Sequence, residues 1–498
     1  MLTSVHIVGI LATVGILVAV SVLSGRKVKD AKGFTTGGKA GSWMVCGAIL
    51  GTLVGGQSTI GTAQLAFTYG LSAWWFTIGA ALGSLVLGLV YAKPLRGSGC
   101  TTVMEVVRQQ YGRRAETVGS VLFLVGIFIS IMSQLLSSSA MITSLFGLPT
   151  VTALLVGAVL IALLVLFGGI RSAGAGGIVK LVLLYVSSLA AGIAVWRLAG
   201  GLGGMRSGLE EVFANPQLAA INDIGSADEV HRRYGSLLAR GPLKDLGGCL
   251  SLTLGVVCTQ TYAQAIWSAA TTRKARRGAV LCAALIPLIG AACTLVGIYM
   301  RGHYVTAAEM EAVVAAGGSL PEGIGVLENS LQAFPTFILA HLPSWLGGIA
   351  LGALLVNILG CGSGLVLGAA TIASRDLVGN VLSLFRRKAR LEPLVQTRLA
   401  IVVILLLGVV AALFVRGSFI NDLGFLSLGL RAVVLLLPLS FALWLPGRFS
   451  ARAVTRSMVV GSVAMLAAGL LHLPPDAMYY GLAASALTVF WQVNGQNS

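Results

Sequence analysis

The sequence predicts an all-α integral membrane protein with about thirteen transmembrane helices, and three observations carry that expectation. The 498 residues are 56% hydrophobic and only 10% charged, whereas a soluble domain carries about 25% charged residues. Apolar runs of roughly 20 residues, the length that crosses the hydrocarbon of a bilayer, recur from end to end. The runs are also long and continuous, unlike the short alternating strands of a membrane barrel, and in lipid a helix pairs all of its own backbone.

In order, the spans fall at 5–23, 42–69, 72–92, 118–145, 149–168, 175–197, 247–268, 277–300, 346–373, 398–415, 423–445, 454–472 and 476–493. The first has no basic stretch before it and no small-residue cleavage site after it, so it reads as a retained helix. Segment 331–345 is apolar but bounded by prolines and short, which suits a re-entrant or interfacial helix. The largest piece outside the spans, 198–245, has room for short helices lying on the outer face.

The net charge of +17 is an orientation signal, not a nucleic-acid footprint. Basic residues gather in alternate loops: Arg26, Lys27, Lys29, Lys32 and Lys39; Lys93, Arg96, Arg108, Arg113 and Arg114; Arg273, Lys274, Arg276 and Arg277; Arg386, Arg387, Lys388 and Arg390; Arg448, Arg452 and Arg456. Intervening loops are short, or acidic like 301–330. This places the N-terminus outside and the C-terminus in the cytoplasm of a cell (inner) membrane. The seven cysteines show neither metal-ligand spacing nor a disulfide framework. Five histidines are scattered, and no GxxxxGK[ST], HExxH or GxSxG stands out. No catalytic residue, metal or enzyme activity is therefore expected.

Two glycine-rich clusters exceed what close helix packing needs. GTLVGGQSTIGT (51–62) lies in the second span and NILGCGSGLVLG (357–368) in the ninth. Glycines and polar side chains at mid-membrane depth weaken a helix, and broken helices line the substrate cavity of many secondary transporters.

With these stretches on the page, the chain resembles the sodium:solute symporter family over about 40–440. The residues that carry the likeness are GGQSTIGTAQLAFTYGLSAWW with the following KPLR, then GGIRSAGAGGIVK, QTYAQAIWSAATTRKARRG and GSGLVLGAATIASRD, in that order relative to the spans. The resemblance implies a leucine-transporter-type core of two inverted five-helix repeats, at 41–197 and 246–446. The external loop 198–245 would join them. One extra helix with a cytoplasmic loop (1–40) and two C-terminal helices (447–498) would flank them, all within one domain, 1–498.

The resemblance also implies a sodium site built from backbone carbonyls of Gly51, Val54 and Asn357 and from two hydroxyls of the eighth core helix. Those hydroxyl positions fall on Gly360 and Cys361, and a supporting aspartate falls on Gly177. A slip of a few residues would bring in Ser363. Sodium is a hard cation that wants oxygen ligands, so these changes weaken it as the coupling ion. All seventeen acidic residues lie in loops or at span edges, with Asp245, Asp376 and Asp422 nearest to an interior.

Lys180, three residues after Gly177, opens a span. An ionisable residue there is a functional candidate. Its ammonium would take the ion's place beside the carbonyls, and a buried lysine titrates closer to neutrality than an exposed one. Snorkelling to the headgroups and pairing with an anionic substrate are the other readings. Arg431, inside the eleventh span, reads as structural.

Candidate substrate ligands are Gln57, Ser58, Gln134, Ser137, Gln260, Tyr262 and Gln264. Amides and hydroxyls suit a small polar organic solute, and Gln260 and Gln264 share a helix face. Hydrogen bonding between helices is the competing role for each. Together these readings describe a symporter that imports a small organic solute by alternating access. Its partners would be that solute, the lipid bilayer and a coupling cation, Na+ by family habit or H+ if Lys180 replaces it. An uncoupled carrier and a membrane sensor or scaffold on the same fold are the alternatives. No cofactor beyond sodium and no nucleic acid is expected, and nothing in the pattern fixes an oligomeric state.

Overall fold

The computed structural model describes residues 2–25, 40–168, 175–373, 393–415, 417–471 and 473–494, with side chains at 2–16, 40–166, 181–373, 395–415, 417–471 and 473–491. Gly177 lies in the described backbone of 175–198, whereas the side chain of Lys180 lies outside these residues, as do Arg171 and Asp376.

The helices, in chain order, are α1 (Ser4–Gly25), α2 (Ser42–Leu53), α3 (Thr62–Tyr69), α4 (Trp75–Val86), α5 (Ala92–Gly97), α6 (Val103–Phe146), α7 (Thr150–Leu163) and α8 (Ala175–Leu198). An outer layer follows with α9 (Leu202–Phe213), α10 (Pro216–Ile221) and α11 (Ala227–Gly235). Next come α12 (Pro242–Cys258), α13 (Gln260–Ser268), α14 (Thr272–Arg301), α15 (Ala307–Ala315) and α16 (Ala333–His341). The chain ends with α17 (Ser344–Ile372), α18 (Pro393–Phe414), α19 (Ile420–Trp444), α20 (Ala451–Leu470) and α21 (Ala477–Asn494). Strands β1 (Tyr304–Thr306) and β2 (Gly325–Leu327) form a parallel ribbon with Tyr304 opposite Gly325.

Among the described residues, eight helical stretches are long and apolar enough to cross a membrane and four shorter apolar helices accompany them. The stretch Gln57–Gly97 is continuous over 41 residues and holds parts of two expected spans. Residues 198–245 form three short helices, as the sequence allows, and 333–341 is a short helix of its own.

Two expected spans are interrupted. The second breaks after Leu53, where Val54 takes extended φ/ψ of −88°/101°, and resumes through a π-helical turn at Gln57–Gly61. The seventh breaks at Thr259, with φ/ψ of −85°/127°. The ninth, by contrast, does not break: α17 runs unbroken for 29 residues despite NILGCGSGLVLG. Its glycines serve contact and surface instead. A Cβ at Gly362 would lie 2.9 Å from Ile161, while at Gly364 and Gly368 it would meet nothing.

Small residues set the helix spacing, as expected where lipid supplies no hydrophobic drive between helices. A Cβ on Gly83 of α4 would sit 2.7 Å from the carbonyl oxygen of Thr253 on α12, and one on Gly255 of α12 would sit 2.5 Å from that of Leu428 on α19. Helix α6 enters the bundle through a bend at Gly112, whose φ of +81° favours glycine. Its inner half, Gly126 to Leu145, is buried almost throughout.

The outer layer is tied down by Arg301, which forks onto Glu309 with Nη1–Oε2 of 2.9 Å and Nη2–Oε1 of 2.8 Å. The guanidinium lies between Phe67 and Phe213, 5.0 and 4.9 Å from their ring centres. Burial would raise the Glu309 pKa, but the Arg301 charge together with hydrogen bonds from Arg301, Thr306 and Asn222 outweighs it and the carboxyl is held at about 2. The ordinary value is 4.5. The carboxylate's contribution is therefore complete above the ordinary value and is lost as pH falls toward the folded one.

Glu309→Gln is expected to lower the melting temperature of purified protein at neutral pH, by an amount equivalent to roughly 3 kcal/mol, and to flatten its acid dependence below the ordinary carboxylate range. Gly83→Leu is expected to abolish folded yield in size-exclusion chromatography, whereas Gly364→Ala, with open space at its Cβ, leaves it unchanged.

Candidate functional site

A helix broken inside a membrane leaves carbonyls that water cannot satisfy. At the first break each is taken by a side chain. Asn357 of α17 donates through Nδ2 to the Val54 carbonyl at 2.8 Å. The Cys361 thiol, one turn further, lies 3.6 Å from the Gly51 oxygen, 4.0 Å from that of Thr52 and 3.5 Å from that of Val54. Ser58 Oγ donates to the Leu53 carbonyl at 3.2 Å, and Thr59 Oγ1 to that of Gly55 at 3.1 Å.

Helix α6 closes the other side. The Gly56 amide donates to Gln134 Oε1 at 3.2 Å, and Gln57 Nε2 donates to Ser133 Oγ at 2.7 Å. Ser137 Oγ turns back to the Ser133 carbonyl at 2.8 Å. The approach is close enough to require the two glycines. A Cβ on Gly56 would fall 2.3 Å from Ser137 Cβ, and one on Gly55 would fall 3.1 Å from both Cys361 Sγ and Gln134 Nε2.

The structure thus brings together Gly51, Val54, Gln57, Ser58, Gln134, Ser137, Asn357 and Cys361. Gly360 donates nothing from a side chain, and its carbonyl accepts from Ser363 Oγ at 2.9 Å. Asn357 acts through its side-chain amide, not the main-chain carbonyl that the resemblance implied. Gln260 is elsewhere: its Oε1 accepts from the Val103 amide at 2.7 Å and its Nε2 donates to the Thr101 carbonyl at 3.3 Å, clamping α13 to the start of α6. Gln264 is half-buried one turn along. Tyr262 is buried, within electrostatic reach of Arg431 and Cys361.

One feature escaped the sequence reading. Ser133 receives Gln57; its signal was the serine run on α6, of which only Ser137 was singled out. Arg431 of α19, read from the sequence as structural, is buried in the bundle. Its Nη2 donates to Ser130 Oγ at 2.8 Å, Ser427 Oγ at 2.9 Å and the Gly126 carbonyl at 3.4 Å. Toward the outer side, Arg240 joins Asp245 of α12 (Nε–Oδ1 2.9 Å) to Asp422 of α19 (Nη1–Oδ1 2.6 Å), and Ser72 Oγ adds 2.7 Å to Asp245.

Apolar spans around two discontinuous helices, with polar side chains gathered at one break, define a multi-pass membrane transporter. The chain belongs to the sodium:solute symporter family, whose model matches residues 34–464. The high-affinity choline transporter 1 of Torpedo marmorata is 24% identical over 454 residues, which is 86% of this chain and 69% of that one. The uncharacterized symporter YwcA of Bacillus subtilis (strain 168) is 28% identical over 194 residues, 38% of this chain and 37% of its own. Among solved structures, a Na+-coupled sialic acid symporter in a substrate-bound outward-open state superposes with a TM-score of 0.68 at 16% identity, over 99% of this chain and 98% of that one. Mhp1, a nucleobase-cation-symport-1 family transporter, gives 0.51 at 14% identity over 93% and 95%. These likenesses are in fold.

Gly56→Ala is expected to lower the melting temperature by an amount equivalent to about 2 kcal/mol, and Ser137→Gly added to it is expected to recover much of the loss. A melting curve of each variant in detergent checks both.

Proposed function

We propose that this chain is a secondary active carrier that imports a small polar organic solute by alternating access, with its sodium position filled from within. The observation that carries the reading is the pair of donors aimed at the carbonyls of the first break, Asn357 Nδ2 on Val54 and Cys361 Sγ on Gly51 and Val54. A sodium ion would need those oxygens free, with hard oxygens from the facing helix. Here the facing helix offers an amide N–H and a thiol, and a thiol is a soft ligand.

In this reading Lys180 supplies the positive charge that the ion would bring, and coupling passes to protons or is lost. Gln57, Gln134 and Ser137 bind the solute beside the break, together with Tyr262, while Ser58 keeps the break itself paired. Gln260 and Gln264 act from the second broken helix, Gln260 by holding α13 in register. The basic loops put the N-terminus outside and the C-terminus in the cytoplasm.

The test needs no known substrate. A ligand that binds only the folded state raises stability by mass action. The melting temperature of the purified protein is expected to be the same in sodium and choline salts, and the part of its pH dependence near neutrality, above the carboxylate range, is expected to vanish in Lys180→Gln. A sodium-dependent rise in the wild type would sink the proposal. Gly360→Ser/Cys361→Ser/Lys180→Gln, which returns two hydroxyls and removes the cation, is expected to gain a sodium-dependent rise that the wild type lacks.

A further inference from the structure

Three arginine side chains are almost wholly buried: Arg240 at 3% exposure, Arg301 at 1% and Arg431 at 3%. The first two obey the rule that a buried charge is paired. Arg240 holds two aspartates and Arg301 forks onto a glutamate. Arg431 does not. Its hydrogen bonds go to two serine hydroxyls and one carbonyl, all neutral and all from Nη2. Its Nε is buried without a partner. The Phe123 ring, 5.7 Å from Cζ, is the cation's remaining neighbour of note. Among the described residues no carboxylate comes within ion-pair distance, and Asp422 on the same helix lies nine residues away, about 13 Å along the axis, committed to Arg240.

The guanidinium is also wired to the helix break. Arg431 Nη2 meets Ser130 Oγ, and Ser133, one turn along α6, donates to the Ser130 carbonyl at 3.1 Å and receives Gln57 at 2.7 Å. On α19, two turns before Arg431, a Cβ at Gly424 would lie 3.2 Å from the Gln57 amide. Tyr262 of the second broken helix lies within electrostatic reach of Arg431 and of Cys361. Through Nη2, Arg431 therefore belongs to the same polar centre as the candidate solute ligands.

We propose that Arg431 is the anchor for an anionic group of the transported solute, so that the solute is a small organic carboxylate. This rests on the carrier reading above and narrows it. A guanidinium binds a carboxylate through charge-assisted N–H bonds. Nη1 and Nε of Arg431 make no hydrogen bond among the described residues, while Ser130 and Ser427 hold Nη2 and fix the plane. A bound carboxylate supplies the charge that the fold withholds. A quaternary ammonium solute such as choline would instead meet an uncompensated cation.

The experiment pairs each acid with its uncharged amide: acetate with acetamide, lactate with lactamide, succinate with succinamide. Purified protein in chloride-free HEPES buffer is melted with each, then with added chloride, in wild type, Arg431→Lys and Arg431→Gln. The expected result is a saturable rise with at least one acid and none with its amide. Arg431→Lys, which keeps the charge but loses the fork, is expected to weaken apparent affinity about tenfold, and Arg431→Gln to remove the rise. Equal effects of acid and amide, no effect of any acid, or a rise that persists undiminished in Arg431→Lys would overturn the proposal. A rise with chloride alone would assign a resident inorganic anion and overturn it too. Liposome uptake separates this from the carrier reading. Uptake of choline or an amide without an acid effect defeats the carboxylate and leaves the carrier. An acid-dependent rise with no uptake of that acid defeats the carrier and leaves the anion site.

Discussion

Everything at the centre of this molecule depends on one constraint: a helix interrupted inside lipid must find partners for the carbonyls it releases. Each such group left bare costs several kcal/mol in hydrocarbon. The break after Leu53 exposes the oxygens of Gly51 through Gly55, and the chain answers each locally or from across the bundle. Ser58 and Thr59 serve Leu53 and Gly55 from the next turn. Asn357 and Cys361 serve Val54, Gly51 and Thr52 from α17. The second break is treated in the same way, with Thr259 Oγ1 donating to the Gly255 carbonyl at 2.7 Å.

That solution dictates the neighbours. Helix α6 has to lie against the break, because Gln134 pairs the Gly56 amide and Ser133 pairs Gln57. It can do so only where the facing residues have no side chain, which is why two consecutive glycines, Gly55 and Gly56, occupy the contact. The same helix then carries its polar load one turn further, through Ser130 to Ser427 on α19 at 2.6 Å. The polar centre and the glycine spacing are thus one design, and a change in either is felt by the other.

How much of this the sequence revealed follows from how local each signal is. Long apolar runs and basic loops are local, and the spans read from them coincide broadly with the helices. The break at 54–56 was legible because three glycines and several hydroxyls fall within one short run. NILGCGSGLVLG carried a similar composition yet stays helical, since its Gly362 answers to Ile161 on another helix and Gly364 and Gly368 face open space. Gln260 and Gln264 could be placed on one face of a helix but not against a neighbour. The partner of Gln260 is the chain around Thr101–Val103, remote in sequence. The partners of Arg431 were out of reach for the same reason, because Ser130 and Gly126 lie roughly three hundred residues away. Asn357 was placed correctly, but its use of the side chain in place of the carbonyl depends on a distance that composition does not carry.

The distribution of charge gives the last step. Two of the buried arginines are matched by carboxylates, Arg301 with Glu309 and Arg240 with Asp245 and Asp422. Arg431 is held by neutral oxygens. A bilayer magnifies such an imbalance, since little water reaches in to screen it. A fold that pairs its buried arginines twice and leaves the third open is not short of acidic residues to use. Two aspartates and a glutamate are spent on Arg240 and Arg301. Moving one to α6 in place of Ser130 would close the pair and hold it closed, and a closed pair has nothing to offer a solute. Neutral partners fix the guanidinium's plane and leave its charge to be met from outside, and that is the condition for binding that is also reversible.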